Sequence, residues 1–272
     1  MRDTEQSMSS VCIRCAKIED APGIVTAIRS GFSPEQLELF SFGYTGVERY
    51  VASQISLSQQ ATKNAYLVAE QNGKIAACAH FQQGRSSLFL NHISVAPEYR
   101  GRGLGTALLS RGIDLFARGA DTLELDVFET NSRALAWYLN LGFTKAYNRY
   151  YFEIELPDVP GGEFEIAGWP QAEACHEAFG FSSFTVTTDK ASYVVGRLGL
   201  RWFRITSPKA LGDPGFWFAL KQVDPNRSVL ALLDRDAQSP CRQTTTRSVM
   251  ERLSAPLRVV RERVSEPGVG QL

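Results

Sequence analysis

The stretch from Leu90 to Leu109 constrains the fold more than any other part of the chain. An apolar, partly alternating strand covers Phe89 to Val95, and Pro97 ends it because proline has no N–H to donate to a neighbouring strand. A loop with a glycine at every second position follows, and apolar residues then recur at helical spacing from Leu104. The sequence therefore predicts a strand, a glycine-rich loop and a helix in immediate succession.

This loop has the composition of an anion-binding site. The N–H groups and the dipole of a helix N-terminus attract negative charge, and glycine lets a phosphate approach the backbone closely. Arg100 and Arg102 add positive charge, and Thr106 adds a hydroxyl. Taken alone, the loop also suits a tight strand-to-helix connection that binds nothing. A dinucleotide-binding fingerprint fits less well, because its third glycine falls on Thr106 and residues 97 and 98 separate the strand from the loop.

A second pattern lies downstream of the glycine loop. Thr122 to Phe128 alternates like a strand, and a helix follows with Asn131 as its cap and Gly142 as its end. Together the two patterns resemble the GNAT superfamily of acyl-CoA-dependent N-acetyltransferases. The family's Gln/Arg-x-x-Gly-x-Gly/Ala loop is matched by residues 100 to 105, and its Asn-x-x-Ala-x-x-x-Tyr-x-x-x-Gly-Phe signature by residues 131 to 143. The resemblance covers residues 65 to 156 and extends more faintly back to residue 11.

The resemblance implies that acetyl-CoA is the donor substrate. Its pyrophosphate would bind the glycine loop, and its pantetheine arm would enter a gap between two splayed parallel strands. A main-chain N–H near Val95 would polarise the thioester carbonyl. The residues expected to contact acetyl-CoA are Ile93, Ser94, Val95, Arg100, Gly101, Arg102, Gly103, Leu104, Gly105, Thr106, Asn131 and Tyr138.

The resemblance also suggests the catalytic groups. Tyr138 matches the family's general acid, which protonates the departing thiolate; the alternative is a packing aromatic. Asp126 is the first candidate for the general base, because it interrupts an apolar strand and an acidic residue serves at the matching place in some family members. His92 is the second candidate, since its ordinary pKa is suitable. An ordered water is the third alternative.

The first half predicts an α+β fold with a mixed, mostly antiparallel sheet and a splayed parallel strand pair. Two strands over 65–71 and 74–83 are joined by Asn72-Gly73, a strong hairpin signal. The helix from Leu104 to Arg118 connects two strands that we expect to be parallel. Residues 143–145 and 147–156 are predicted to form a final hairpin that completes the sheet. The domain is therefore expected to occupy residues 1–156.

A proline- and glycine-rich stretch at 157–162 is the predicted linker, and residues 163–272 are the predicted C-terminal α+β domain. Its elements echo the order of the first half, with a helix expected over 239–253 and a strand over 257–264. One interpretation is a degenerate second GNAT-like half that has lost the phosphate loop, because Asp213 and Pro214 stand at the matching place. The alternative is an unrelated α+β domain.

The amino-acid composition limits the classes of partner that the protein is expected to bind. The 272 residues carry 29 basic and 29 acidic side chains, which argues against a general nucleic-acid or membrane-surface binder. No apolar run approaches the roughly 18 residues that a membrane span needs. Five scattered cysteines suit a reducing cytoplasm, and the three histidines have no metal-ligand spacing. We expect a cytoplasmic monomer or homodimer that uses no metal.

The predicted function is acetyl-CoA-dependent N-acetylation of a primary amine by direct attack on the thioester. The alternative is a non-catalytic acyl-CoA-binding regulatory module that kept the fold and lost turnover. The sequence does not identify the acceptor amine, the length of the acyl chain or the role of the C-terminal half.

Overall fold

The computed structural model describes residues 11–57, 59–234 and 244–266. Their strands are β1 (Cys12–Cys15), β2 (Asn64–Gln71), β3 (Lys74–Gln83), β4 (Ser87–Val95), β5 (Thr122–Phe128), β6 (Thr144–Ile154), β7 (Phe164–Ala167), β8 (Phe181–Thr188), β9 (Ser192–Leu198), β10 (Trp202–Ile205), β11 (Ser228–Leu233) and β12 (Thr244–Pro256). Their helices are α1 (Ala21–Arg29), α2 (Pro34–Leu37), α3 (Val47–Ser56), α4 (Gln59–Thr62), α5 (Leu104–Phe116), α6 (Ser132–Asn140), α7 (Trp169–Phe179), α8 (Pro214–Val223) and α9 (Leu257–Ser265).

These strands form one continuous sheet in the order β1-β2-β3-β4-β5-β12-β6-β11-β10-β9-β8-β7. Neighbouring strands are antiparallel except at two places: β4 runs parallel to β5, and β10 runs parallel to β11. A helix connects each parallel pair, α5 in the first half and α8 in the second. The mixed, mostly antiparallel sheet predicted for this chain is confirmed.

The last strand, β12, lies in the sheet of the first half. It pairs with β5 over residues 250–256 and with β6 over residues 244–254. In turn, β6 pairs on its other side with β11 of the second half. The prediction that residues 143–156 form a hairpin that completes the sheet is therefore wrong. Residues 144–154 are a single strand, and the strand that separates it from β5 comes from the other end of the chain.

The helix expected over 239–253 and the strand expected over 257–264 are exchanged in the structure. Residues 244–256 form β12 and Leu257–Ser265 form α9, while 239–243 lie outside the described residues. The β-branched run Thr244-Thr245-Thr246 favours extended backbone. In α9 the buried Leu257 and Val260 are three positions apart, which is helical spacing, and Pro256 precedes the first turn.

Helix α5 packs against β3 and β4 and buries Leu108 and Ile113 in the core of the first half. Gly112 permits this close approach, because a Cβ at that position would lie 2.2 Å from the Phe81 ring. Leu257 of α9 belongs to the same core. The C-terminal segment thus gives the first half both a strand and a helix, and a separate core lies in the second half between its sheet and α7 and α8.

The second half repeats the strand–helix–strand order without an anion-binding loop. Asp213, which is 1% exposed, caps α8: its carboxylate accepts hydrogen bonds from the Phe216 N–H at 3.3 Å, the Thr188 hydroxyl at 2.7 Å and the Tyr193 hydroxyl at 2.9 Å. The N-terminus of α8 therefore already holds a negative charge of the chain itself, which would repel a pyrophosphate.

The predicted linker at 157–162 lies within a segment, 155–163, that has neither helix nor strand. Because the sheet runs across this point and each half contributes a strand beside the other, the division into domains at residues 1–156 and 163–272 stays a prediction. No helix in the described ranges is long and apolar enough to cross a membrane.

Candidate active site

The parallel strands β4 and β5 separate halfway along their length. They pair only from Ser87 opposite Thr122 to Leu90 opposite Leu125, although β4 continues to Val95 and β5 to Phe128. On its other side β4 stays paired with β3 as far as Val95. The segment from Ile93 to Val95 therefore presents an unpaired main-chain edge to the gap, as the resemblance implied. Ser94 turns its hydroxyl away from the gap and donates to the Ala27 carbonyl of α1 at 2.5 Å.

The loop after β4 owes its shape to two glycines. Gly101 and Gly103 both have a φ of +75°, which side chains disfavour, and a Cβ at either position would meet no atom within 4 Å. Helix α5 begins directly after Gly103, and no side chain caps it. Leu104 and Gly105 are buried in its first turn, which also contains Thr106. The first turn therefore offers backbone N–H groups for an anion.

The two arginines of this loop hold its backbone in place. Arg100 donates through Nε to the Val95 carbonyl at 3.0 Å, across the junction between strand and loop. Arg102 donates to the Glu98 carbonyl at 2.9 Å and lies 5.4 Å from the centre of the Tyr99 ring. Both guanidinium groups keep further donors, so they retain positive charge beside the start of α5.

Tyr138 lies on α6 and faces the gap between β4 and β5. Its ring is 6% exposed and contacts Trp137 and Phe143, at 4.8 and 5.5 Å between ring centres. Burial raises the pKa of Tyr138, so the phenol stays protonated. Asn131 caps the same helix, with Oδ1 accepting from the Ala134 N–H at 3.2 Å. The predicted cap is confirmed, and both side chains line one cavity.

Asp126 is held between two arginines. Arg252 of β12 donates to its two carboxylate oxygens at 2.5 and 2.9 Å, and Arg149 of β6 donates to one of them at 3.1 Å. Arg252 also lies 3.6 Å from the Glu124 carboxylate. A carboxylate whose oxygens both accept from guanidinium groups is poorly suited to take a proton from an amine. The geometry favours a role for Asp126 in holding the arginines over its predicted role as general base.

His92 lies among aromatic side chains in the same cavity. Its ring centre is 4.7 Å from that of Phe42 and 5.9 Å from that of Phe40, and it stacks in parallel on His80 at 5.8 Å. His80 in turn stacks on Tyr66 at 4.2 Å. The Nδ1 atoms of both histidines are buried without a hydrogen-bond partner. Burial lowers the pKa of His92 to about 4, so its ring is neutral at physiological pH.

One cavity of about 940 Å³ collects these groups and takes side chains from both halves of the chain. The first half contributes the edge of β4, Asp126, His92 and Tyr138. The second half contributes Phe181, Ser182, Ser183, Val194, Gly196, Leu198, Arg204, Thr206, Leu232, Met250 and Arg252. Among the residues that the structure describes, no three His, Cys, Asp or Glu side chains are arranged to hold a metal ion.

Sequence reasoning missed the whole contribution of the second half. Arg204 and Arg252 belong to no motif, and their arrival at the cavity depends on the order of strands in the sheet. One signal was present in β9, where Gly196 interrupts an otherwise regular strand, because a strand glycine often marks a close approach. A Cβ at Gly196 would lie 3.2 Å from the Cβ of Arg204.

Comparisons with known proteins agree with this geometry. The sequence model of the Acetyltransferase (GNAT) family matches residues 34–143. The ribosomal protein bS18-alanine N-acetyltransferase of Escherichia coli K12 is 42% identical over 90 residues, which are 33% of this chain and 61% of that protein. The match thus spans less than two thirds of the relative's length.

Two solved structures resemble nearly the whole chain. A tandem GNAT protein from the clavulanic acid biosynthesis pathway superposes with a TM-score of 0.60 and 13% identity, over 91% of this chain and 99% of that one. A GCN5-related N-acetyltransferase from Sphaerobacter thermophilus gives 0.56 and 14% identity, over 91% and 96%. At these identities the likeness concerns the fold alone. The chain therefore has the fold of a tandem GNAT protein, and its residues 34–143 match the sequence model of the GNAT acetyltransferase family.

Proposed function

We propose that this protein is an acetyl-CoA-dependent N-acetyltransferase that moves an acetyl group to a primary amine of a small molecule or peptide. One observation carries the proposal: half of the residues expected to contact acetyl-CoA line a single cavity that also contains the predicted acid. These residues are Ile93, Ser94, Val95, Arg100, Asn131 and Tyr138. The gap between β4 and β5 supports the binding of an extended donor arm alongside them.

The donor would be held mainly by backbone. The uncapped first turn of α5 supplies N–H groups for the pyrophosphate, and Arg100 and Arg102 add positive charge. The unpaired edge of β4 from Ile93 to Val95 would hydrogen-bond the pantetheine amides as a neighbouring strand would. Such contacts would bring the thioester between β4 and β5, close to Tyr138.

The reaction needs one bond formed and one broken. The amine nitrogen attacks the thioester carbonyl carbon, an N–C bond forms, and the C–S bond breaks. Tyr138, whose phenol is protonated throughout the neutral range, would give its hydroxyl proton to the departing thiolate, and water would return a proton to the tyrosinate before the next turnover. The proton lost by the amine then leaves through the cavity to solvent.

We propose that a water beside His92, rather than Asp126, takes the proton of the amine. His92 is neutral and lines the cavity, but a pKa of about 4 makes it a poor permanent proton holder. It suits a group that orients a water or passes a proton on. Asp126 is already engaged by Arg149 and Arg252.

The acceptor class is supported by similarity alone. The name of the Escherichia coli relative describes acetylation of an alanine of a ribosomal protein, and its match covers 90 residues of this chain. An α-amine of a peptide is therefore the acceptor we favour for this chain.

Calorimetry with acetyl-CoA and free CoA tests the donor site. We expect wild type to bind both, and Gly103→Glu to lose binding at least tenfold, because a carboxylate would stand where the pyrophosphate binds. Gly119→Glu is the matched control: Gly119 has a φ of +73° and an equally open Cβ position, but it lies after α5. It imposes the same backbone strain without the charge at the site.

Two outcomes would contradict the proposal. Failure of wild type to bind acetyl-CoA would make the loop a structural remnant and remove the enzyme interpretation. Tight binding with no transfer to any amine would favour a non-catalytic acyl-CoA-binding regulatory module instead.

A further inference from the structure

The cavity holds more positive than negative charge where the two halves meet. The arginines that line it are Arg100, Arg133, Arg149 of β6, Arg204 of β10 and Arg252 of β12, and Asp126 is the one carboxylate in its described lining. Glu124 lies outside the lining and approaches Arg252 at 3.6 Å. The excess is therefore four positive charges in the lining, or three if Glu124 is included.

Arg204 has no partner of opposite charge. Within the described ranges no carboxylate lies within 4 Å of its guanidinium, and its Nε is buried without a hydrogen-bond acceptor. The Tyr151 hydroxyl, which carries no charge, lies close to the guanidinium. Arg204 is half-buried, and a shielded guanidinium nitrogen without an acceptor is suited to an anionic ligand.

The surroundings of Arg204 are shaped for a second oxygen acceptor. The Ser183 hydroxyl is on the same face of the sheet as Arg204, because Ser183 pairs with Gly196 and Gly196 pairs with Arg204, and Ser183 lines the same cavity. Gly196 lies beside Arg204 in the sheet and leaves the space that any larger side chain would take. A group with several anionic oxygens would satisfy both the guanidinium and the hydroxyl.

The distance to the thioester sets the size of the ligand. In the sheet order, β10 lies four strand spacings from β5, roughly 19 Å along the sheet. A single α-amino acid carries its amine and carboxylate on one carbon and is too short to reach both ends. A peptide advances about 3.3–3.6 Å per residue, so a chain of three to five residues spans the cavity once the length of the arginine side chain is allowed for.

One wall of the cavity is apolar. Phe32, Phe40, Phe42 and Phe128 line the cavity around His92, and the rings of Phe32 and Phe128 are 6.0 Å apart. Such a wall suits an extended ligand with apolar side chains and charges at its two ends.

We propose that the acceptor is a short peptide whose free amine faces the thioester and whose anionic oxygen group, a carboxylate or a phosphate, binds Arg204 and Ser183 in the second half. The role of the peptide as acceptor rests on the proposed acetyl transfer. Binding of its anionic group to the subsite does not depend on turnover and can be measured separately.

The test measures peptide binding by calorimetry to wild type, with and without saturating CoA. The probes are alanine-phenylalanine tetrapeptides with a free C-terminal carboxylate, with a C-terminal amide, and as the amide with a C-terminal phosphoserine. We expect at least tenfold tighter binding of an anionic peptide than of the neutral amide. The carboxylate and phosphoserine probes distinguish the two anionic groups.

Variants connect the preference to the subsite. In Arg204→Gln the preference should fall below threefold, in Ser183→Ala it should weaken, and in Arg204→Lys a part of it should return. Arg201→Gln is the matched control, because Arg201 is an exposed neighbour that pairs with Glu153 outside the cavity, and it should keep the preference.

Equal binding of acid, phosphopeptide and amide would overturn the inference, as would absence of binding by all three or an undiminished preference in folded Arg204→Gln. Failure of the proposed function looks different: it is loss of acetyl-CoA binding or transfer while wild type still prefers the anionic peptide.

Discussion

Tyr138 combines two properties that a general acid for this reaction needs. It faces the cavity from α6, and its buried phenol keeps its proton because burial raises its pKa. Its neighbour Trp137 is equally buried but points into the core of the first half. A one-residue step along the helix thus separates a packing aromatic from one that reaches the cavity.

Removal of this hydroxyl should affect turnover and spare donor binding. We expect Tyr138→Phe to lower kcat by about 100-fold, which is typical for loss of a general acid, with acetyl-CoA affinity changed less than threefold. Steady-state kinetics and calorimetry check the two parts. Tyr147→Phe is the control, because Tyr147 is 45% exposed, and it should behave as wild type. An unchanged kcat in Tyr138→Phe would remove the assigned role.

Asp126 should contribute more to the stability of the fold than to the acetyl transfer. Asp126→Asn would leave Arg149 and Arg252 facing each other without a full counter-charge, at a cost of roughly 3 kcal/mol in the free energy of unfolding. Urea unfolding measures it. Glu124→Gln, on the same strand with one longer contact to Arg252, should cost less than about 1 kcal/mol. Unchanged stability together with lost kcat would instead restore Asp126 as the base.

His92 should make the protein sensitive to mild acid. The pKa of its ring is about 4 in the folded state against an ordinary value of 6.5, so the unfolded chain binds the proton more readily. The stability from neutral His92 is fully present above pH 6.5 and is lost as the pH falls toward 4, by up to roughly 3 kcal/mol.

Unfolding curves of wild type and His92→Phe at pH 7, 6 and 5 test this dependence. Phenylalanine keeps an aromatic ring among Phe40 and Phe42 but cannot be protonated. The loss of stability between pH 7 and 5 should be smaller in the variant. Parallel curves for the two proteins would show that His92 does not carry the effect.

At the scale of elements, the local sequence pattern predicted the structure correctly where the residues of one segment determine its conformation. The loop glycines, α5, β5 and the Asn131 cap follow from spacing and turn chemistry, and the structure has them at the expected places. The sequence pattern gave the wrong prediction for β12 and α9. Their short mixtures of apolar and polar residues fit both the strand period and the helix period, so pairing within the sheet decides which structure forms. The order of strands in the sheet brings Arg204 to the cavity, and no local sequence pattern encodes that order.

The position of β12 predicts that the first half does not fold alone. A fragment ending at residue 156 would leave β5 and β6 without the strand that joins them, and Leu253, Leu257 and Val260 would be missing from the core. We expect no cooperative thermal transition and no acetyl-CoA binding from this fragment. Co-expression with residues 157–272 should restore both. A fragment that unfolds cooperatively and binds acetyl-CoA would contradict this view.

At the scale of the molecule, the two halves share a sheet and a cavity. Strand β12 of the second half lies between β5 and β6 of the first, and β6 of the first half lies between β12 and β11 of the second. This strand exchange brings Arg204 and Arg252 to the cavity that also contains His92 and Tyr138. Asp213 caps the N-terminus of α8, so this helix does not offer its N–H groups to a donor substrate. The second half instead contributes side chains to the cavity wall.

A cut in the linker should therefore not separate the halves. With a protease site inserted between Gly161 and Gly162, the cleaved protein should elute as one particle near 30.1 kDa while a denaturing gel shows two fragments. The cleaved protein should keep acetyl-CoA binding. Separation of the fragments without denaturant would mean that the strand exchange contributes little to their association.

The late position of β12 has a consequence during synthesis of the chain. Arg252 meets Asp126 across 126 positions of sequence, so β5 and β6 leave the ribosome long before the strand between them exists. At about 5–20 residues per second this interval lasts roughly 6–25 seconds. During it both strands expose unpaired edges, which are templates for association with other chains. A nascent chain of this design depends on protection of its unfinished first half until its last residues emerge.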